Sequence, residues 1–219
     1  MSYSLHQLID ANRATAEEEK TSNWSVFLLY RLPGNVLAWA FLKTPATPTN
    51  VTFLALLVVL LIPFSAGLLP LAIAGVATCV LALLFQALDC ADGSMARVSG
   101  MGSEAGGRYD FLVDMFQWGV LYAAMGLLAD RAADSGVFWT MLGFMAGWLR
   151  LFARVCNDRA PKNVPTSQST PGWAMWFLNG LSGLIPFLFL SGPYMHLAVI
   201  AVLIYSIGDV FDALTRVIE

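Results

Sequence analysis

The chain has 219 residues, 58 % hydrophobic and only 12 % charged, with a mean hydropathy of +0.66. A soluble globular domain carries about a quarter of its residues as charged side chains, so this composition excludes a protein that faces water on all sides and points to a bilayer. The formal net charge of −3 says little about partners, and no nucleic acid is expected among them.

In chain order, the first 23 residues are polar and include Glu17, Glu18 and Glu19 in succession. They lack the apolar stretch of a secretory signal. Residues 3–20 read as a short surface helix, with Leu5, Leu8 and Ile9 at helical spacing. Residues 24–42 are apolar, but Arg31, Pro33, Gly34 and Asn35 interrupt them. That pattern predicts a helix lying along the membrane surface and kinked at Pro33. Residues 43–52 form a rigid turn in which Thr47 suits an N-cap and Pro48 the first helical turn.

Six spans follow, at 51–69, 71–92, 104–128, 137–155, 171–190 and 194–214, each long enough to cross a bilayer. The expected fold is therefore an all-α integral membrane protein of six transmembrane helices preceded by an N-terminal juxtamembrane, interfacial helix. Residues 1–46 would be the cytoplasmic and interfacial amphipathic segment, and 47–219 the membrane domain. Cys79, Cys90 and Cys156 have no spacing for pairing or metal binding, and Cys79 and Cys90 read as small hydrophobes. With a cytoplasmic N-terminus, every Lys and Arg except Arg131 falls on or near the cytoplasmic side, which places both termini there. A seventh span at 24–42 would break this bias.

Between the second and third spans the chain reads Asp89-Cys90-Ala91-Asp92-Gly93-Ser94-Met95-Ala96-Arg97, then Gly106-Gly107-Arg108-Tyr109-Asp110 and Asp114. Asp89 and Asp92 are three apart and Asp110 and Asp114 four apart, so on helices each pair shares a face. Carboxylates in a hydrophobic span are costly and by default mark a functional cavity. Two of them about 4 Å apart repel by roughly 4 kcal/mol at an effective dielectric of about 20, and something positive must offset that. An all-oxygen ligand set favours a hard cation such as Mg²⁺, Mn²⁺ or Ca²⁺ over zinc. Gly93, Ala96, Gly106 and Gly107 leave room for a bulky phosphorylated group, and Arg97 can contact a phosphate. These are the parts that phosphoryl transfer uses. A lone aspartate near a span end is more often a solvated cap, but two such pairs across a short loop are rarely coincidence.

The pattern Asp-x2-Asp-Gly-x2-Ala-Arg-x8-Gly-x3-Asp-x3-Asp, complete here over residues 89–114, resembles the motif of the CDP-alcohol phosphotransferases. The six-span layout and the Thr47-Pro48-x-Asn50-Val51-Thr52 lead-in are similar to that family as well, whereas the resemblance is weak from residue 137 onward. It implies a phospholipid-synthesis-type enzyme in the inner or cell membrane of a bacterium or archaeon, acting as a homodimer with its active site on the cytoplasmic side. It implies two divalent cations, Mg²⁺ or Mn²⁺, held by Asp89, Asp92, Asp110 and Asp114. Asp114 would be the general base that deprotonates the acceptor alcohol, which attacks the β-phosphate of the CDP-alcohol donor and expels CMP. Gly93, Ala96, Arg97 and Gly106 match positions that contact or make room for the cytidine diphosphate.

The donor suggested is CDP-diacylglycerol. The basic residues Arg31, Arg108, Arg150, Arg154, Arg159 and Lys162 can serve an anionic acceptor such as an inositol phosphate, or simply record topology and contact with anionic lipid. Arg108, Arg154 and Arg31 are the candidate acceptor-binding residues. Gly143 and Gly147 have the spacing of a close helix contact, within the chain or between two copies. Asp209 and Asp212 suit helix-end solvation or pairing with Arg216 better than a second metal site. Two rivals remain: an aspartate-rich membrane prenyltransferase, whose acidic motifs would lie farther apart, and a non-enzymatic cation transporter.

Overall fold

The structure, a computed structural model, describes residues 3–159 and 172–218, with backbone only at 172–175 and 178. Lys162 and the first residue of the fifth expected span lie outside the described residues. Among the described residues every element is helical: α1 (Leu5–Ala11), α2 (Arg13–Ser22), α3 (Trp24–Leu29), α4 (Arg31–Phe41), α5 (Pro48–Leu68), α6 (Leu71–Ser99), α7 (Glu104–Ala133), α8 (Phe138–Arg159), α9 (Gly172–Leu181) and α10 (Met195–Ile218), with 3-10 turns at Ser182–Leu190 and Gly192–Tyr194.

Four stretches are long and apolar enough to cross a membrane: Pro48–Leu68, Leu71–Ser99, Glu104–Ala133 and Gly192–Ile218. They give the chain the architecture of a membrane-embedded protein. The other two expected spans differ from these. α8 is a continuous helix that carries Arg150, Arg154 and Arg159. The fifth is divided between α9 and the 3-10 turn from Ser182, where Pro186 cannot donate to a carbonyl one turn back. The carbonyl of Gly183 instead accepts from the Tyr30 hydroxyl at 2.6 Å.

The N-terminal segment is more broken than its periodicity suggests. The single helix expected over 3–20 divides at Asn12, and the one over 24–42 divides at Tyr30 rather than bending at Pro33. Pro33 falls within the first turn of α4, where its missing N–H costs nothing. At the start of α5 the Thr47 hydroxyl accepts from the Asn50 N–H at 3.3 Å, and Asn50 Oδ1 accepts from the Thr47 N–H at 2.9 Å. This is a reciprocal cap directly before Pro48.

The described residues divide into two compact units, one drawn from Met1–Val59, Val80–Asp114 and Gly172–Pro186, the other from Leu60–Cys79, Met115–Pro171 and Phe187–Glu219. In the first, α4 approaches α6 so closely at Gly34 that a Cβ there would overlap that of Cys90. In the second, α8 packs on α7 through glycines. A Cβ on Gly143 would strike the Tyr122 carbonyl, and one on Gly147 would stand 3.2 Å from Gly119 Cα. The Gly143 and Gly147 faces are thus used inside the chain rather than between copies.

Charged side chains in the second unit satisfy helix ends. Asp130, 3 % exposed, accepts from the N–H groups of Trp139 at 3.0 Å and Thr140 at 2.8 Å, capping α8 from a distance. Arg131, the one basic residue expected on the far side, donates to the carbonyls of Ala66 and Leu69 at the end of α5. Arg150 pairs with Asp209, and Asp212 with Arg216 at 2.6 Å.

Gly143→Ala should destabilise the protein by about 1–3 kcal/mol, the cost of overpacking, read as a lower melting temperature in detergent. Gly208→Ala, where a Cβ meets nothing within 4 Å, should leave the melting temperature unchanged or slightly raised.

Candidate metal centre

The acidic motif lies wholly in the first unit, on the C-terminal half of α6 and the N-terminal turns of α7. Gly100, in the left-handed conformation at φ +68°, ends α6 in the way such a stop requires. Ser103 then caps α7 by accepting from the Gly106 N–H at 3.0 Å. A connection this short makes α6 and α7 antiparallel neighbours, and the two acidic pairs face one another.

Asp89, Asp92 and Asp110 each offer a carboxylate oxygen within 4.8 Å of the others. Asp114, one helical turn beyond Asp110, is not among these three, and its carboxyl interacts with that of Asp89. Asp92 is buried at 5 % exposure, and the other three are half-buried. Charges 4.8 Å apart repel by about 3.5 kcal/mol per pair at an effective dielectric of about 20. Oxygens at this spacing, all from carboxylates, fit a hard divalent cation, which would remove that repulsion.

The surrounding residues hold the acids in place. The Thr52 hydroxyl donates to Asp92 Oδ2 at 2.5 Å, a short charge-assisted bond that fixes the carboxylate and leaves its other oxygen available. The Ser94 hydroxyl, fully buried, lies 2.7 Å from the Cys90 carbonyl and 3.0 Å from Asn35 Oδ1, which ties α6 to α4. Arg97 extends along α6 so that both Nη atoms lie 3.3 Å from where a Cβ of residue 93 would stand. With glycine at 93, no side chain crowds the guanidinium at that position. A Cβ at Gly106 would meet Ser103 Oγ at 3.1 Å and Thr49 Oγ1 at 3.5 Å, which keeps the start of α7 close to α5. Ala96 is half-buried on the same stretch of α6.

The candidate acceptor residues are placed less uniformly. Arg31 is buried, with Nε donating to Glu19 at 2.8 Å and Nη2 to the other oxygen of the same carboxylate. Arg108 is exposed and pairs with Glu104 at 2.6 Å. Arg154 is exposed on α8. Among the described residues the acids of α6 and α7 are the group arranged to hold a metal, and Asp209 and Asp212 are each committed to an arginine. The cysteines are free, with Cys79 and Cys90 buried.

Three polar residues of this network carry no expected site role in the sequence. Thr52 stands in the lead-in, where its position suggests only a turn. Asn35 reads as an interruption of an apolar segment, and Asn12 as one polar residue among many. For Asn35 the signal was present: an amide within an apolar stretch needs a partner.

No model of a known family matches the chain, and no curated protein matches it. Sequence motif and site geometry therefore stand alone as guides to chemistry.

If the acids bind a cation, Asp92→Asn should abolish high-affinity Mn²⁺ binding in isothermal titration. Thr52→Val, which removes only the supporting hydroxyl, should weaken it by about tenfold or more. Unaltered Mn²⁺ affinity in both variants would remove the metal reading.

Proposed function

We propose that the protein is a CDP-alcohol phosphotransferase, transferring a substituted phosphate group from a CDP-alcohol to an acceptor alcohol with release of CMP. One observation carries this reading: the motif acids, separated by a glycine-rich loop, converge with oxygens of Asp89, Asp92 and Asp110 within 4.8 Å and Asp114 against Asp89. Supporting it are the guanidinium of Arg97 beside Gly93 and the apolar helices on which the site is built, as a lipid-linked substrate would need.

Asp89, Asp92, Asp110 and Asp114 would hold two divalent cations, Mg²⁺ or Mn²⁺, which when bound neutralise the donor's diphosphate and raise the electrophilicity of its β-phosphorus. Arg97 binds the diphosphate and, with Gly93, Ala96 and Gly106, leaves room for it. Asp114 takes the proton of the acceptor hydroxyl. The acceptor oxygen then bonds to the β-phosphorus, the bond from that phosphorus to the bridging oxygen breaks, and CMP leaves with the bridging oxygen. The proton on Asp114 passes to water. CDP-diacylglycerol is the donor we favour, an inositol phosphate or other polar alcohol the acceptor, and a homodimer the working form. The bias of basic residues puts the site and both termini on the cytoplasmic side.

The test is CMP release by the purified protein in liposomes, with CDP-diacylglycerol and then CDP-choline, against a panel of acceptors, with and without Mg²⁺ or Mn²⁺. Release should require the metal and fall by about 10²–10⁴-fold in Asp114→Asn, the range for loss of a general base. Metal binding that CDP does not strengthen, with no CMP from any pair, would favour a cation-binding protein instead. Within an active panel, Arg108→Ala or Arg154→Ala should slow an anionic acceptor about tenfold more than a neutral one. Equal effects on both would separate these arginines from the acceptor.

A further inference from the structure

Asn12 lies in a segment whose composition is that of a solvated surface, yet it is 1 % exposed. It sits between α1 and α2 at φ −95° and ψ 4°, and its side chain makes no capping bond to α2. Its amide is committed elsewhere. Nδ2 donates to the Leu8 carbonyl at 2.8 Å and to Asn35 Oδ1 at 3.3 Å, while Oδ1 accepts from Arg97 Nε at 2.5 Å. Leu8, fully buried one turn earlier, anchors α1 so that the amide can hold this position.

A guanidinium has five N–H donors. Asn12 takes the one on Nε, which leaves the four on the two Nη atoms; these lie beside Gly93 and have no other partner among the described residues. Without that tether a long arginine side chain samples many rotamers, which ligand binding would have to fix again. Arg97 is also within electrostatic range of a second guanidinium, that of Arg31. Arg31 is held in turn by Glu19 of α2. Both guanidinium groups are tied down, and both ties come from the N-terminal segment.

We propose that Asn12 is a positioning residue for the donor site, holding Arg97 by Nε so that both Nη atoms are presented to a nucleoside diphosphate. The N-terminal helix pair is then a working part of the site rather than a membrane anchor alone. This rests on the assignment of Arg97 to the donor's diphosphate made above.

The experiment is CDP binding to the full chain in detergent, saturated with Mn²⁺, for the wild type, Asn12→Ala, Arg97→Met and the double variant. Asn12→Ala should weaken CDP binding about tenfold while leaving Mn²⁺ affinity unchanged. Because Asn12 acts through Arg97, adding Asn12→Ala to Arg97→Met should cause no further loss. A residue that merely supported the fold would lower affinity in both backgrounds. CDP affinity equal to wild type in Asn12→Ala, or losses that multiply in the double variant, would overturn the proposal and leave the catalytic reading intact. A wild type that binds Mn²⁺ but never CDP would overturn both. Should Asn12→Ala fail to fold, Asn12→Ser keeps a hydroxyl for the Leu8 carbonyl but is too short to reach Arg97, and the same outcomes apply.

Discussion

Four carboxylates brought together in apolar helices repel one another, and the first compact unit is organised around tolerating that repulsion. Helical spacing puts Asp89 with Asp92 and Asp110 with Asp114, and the turn at Gly100 and Ser103 folds one pair onto the other. Nothing in local structure favours the result, since each added carboxylate raises the energy of the rest. The framework holds them anyway, through the Thr52 bond to Asp92, the close approach of α4 to α6 at Gly34 and the Ser94 contact with Asn35. A scaffold that keeps like charges together against their preference is preorganised for an opposite charge.

The other ionisable groups on the long helices show the contrast. Asp130 satisfies N–H groups at the start of α8, Arg131 satisfies carbonyls at the end of α5, and Arg150 and Arg216 each pair with an aspartate of α10. Those charges have structural partners that account for their presence in an apolar setting. The acids of α6 and α7 have mainly each other. Arg150 also lies 5.2 Å from the ring centres of both Trp118 and Tyr205, so its charge is shared between an acid and two aromatic faces.

The N-terminal segment supplies an acceptor to each of two arginines, one a neutral amide and one a carboxylate. Asn12, between α1 and α2, and Glu19 of α2 each bind one arginine. Tyr30, Trp24 and Trp176 join this segment to α9 and the turn after it, through the Tyr30 bond to Gly183 and the two indole rings 5.8 Å apart. A surface helix that only lay on lipid would have no need of buried amide contacts.

What the sequence determined by itself was whatever depends on residues near one another along the chain. Apolar length located helices at 51–69, 71–92, 104–128 and 194–214, each of which the structure places with somewhat different ends; local capping chemistry located Thr47 and Pro48, and periodicities of three and four put each aspartate pair on one face. Tertiary structure decided what depends on which faces meet. Asn12 against Arg97 spans 85 residues and Thr52 against Asp92 spans 40, and a polar side chain carries no mark of a partner that far away. Gly143 and Gly147 have the same spacing whether they serve an internal contact or a dimer, and only the position of Tyr122 and Gly119 distinguishes them. The break after α9, in what reads as one continuous span, leaves the Gly183 carbonyl to the hydroxyl of Tyr30, 153 residues away. Backbone periodicity is a property of one helix, whereas the pairing of buried polar atoms is a property of two.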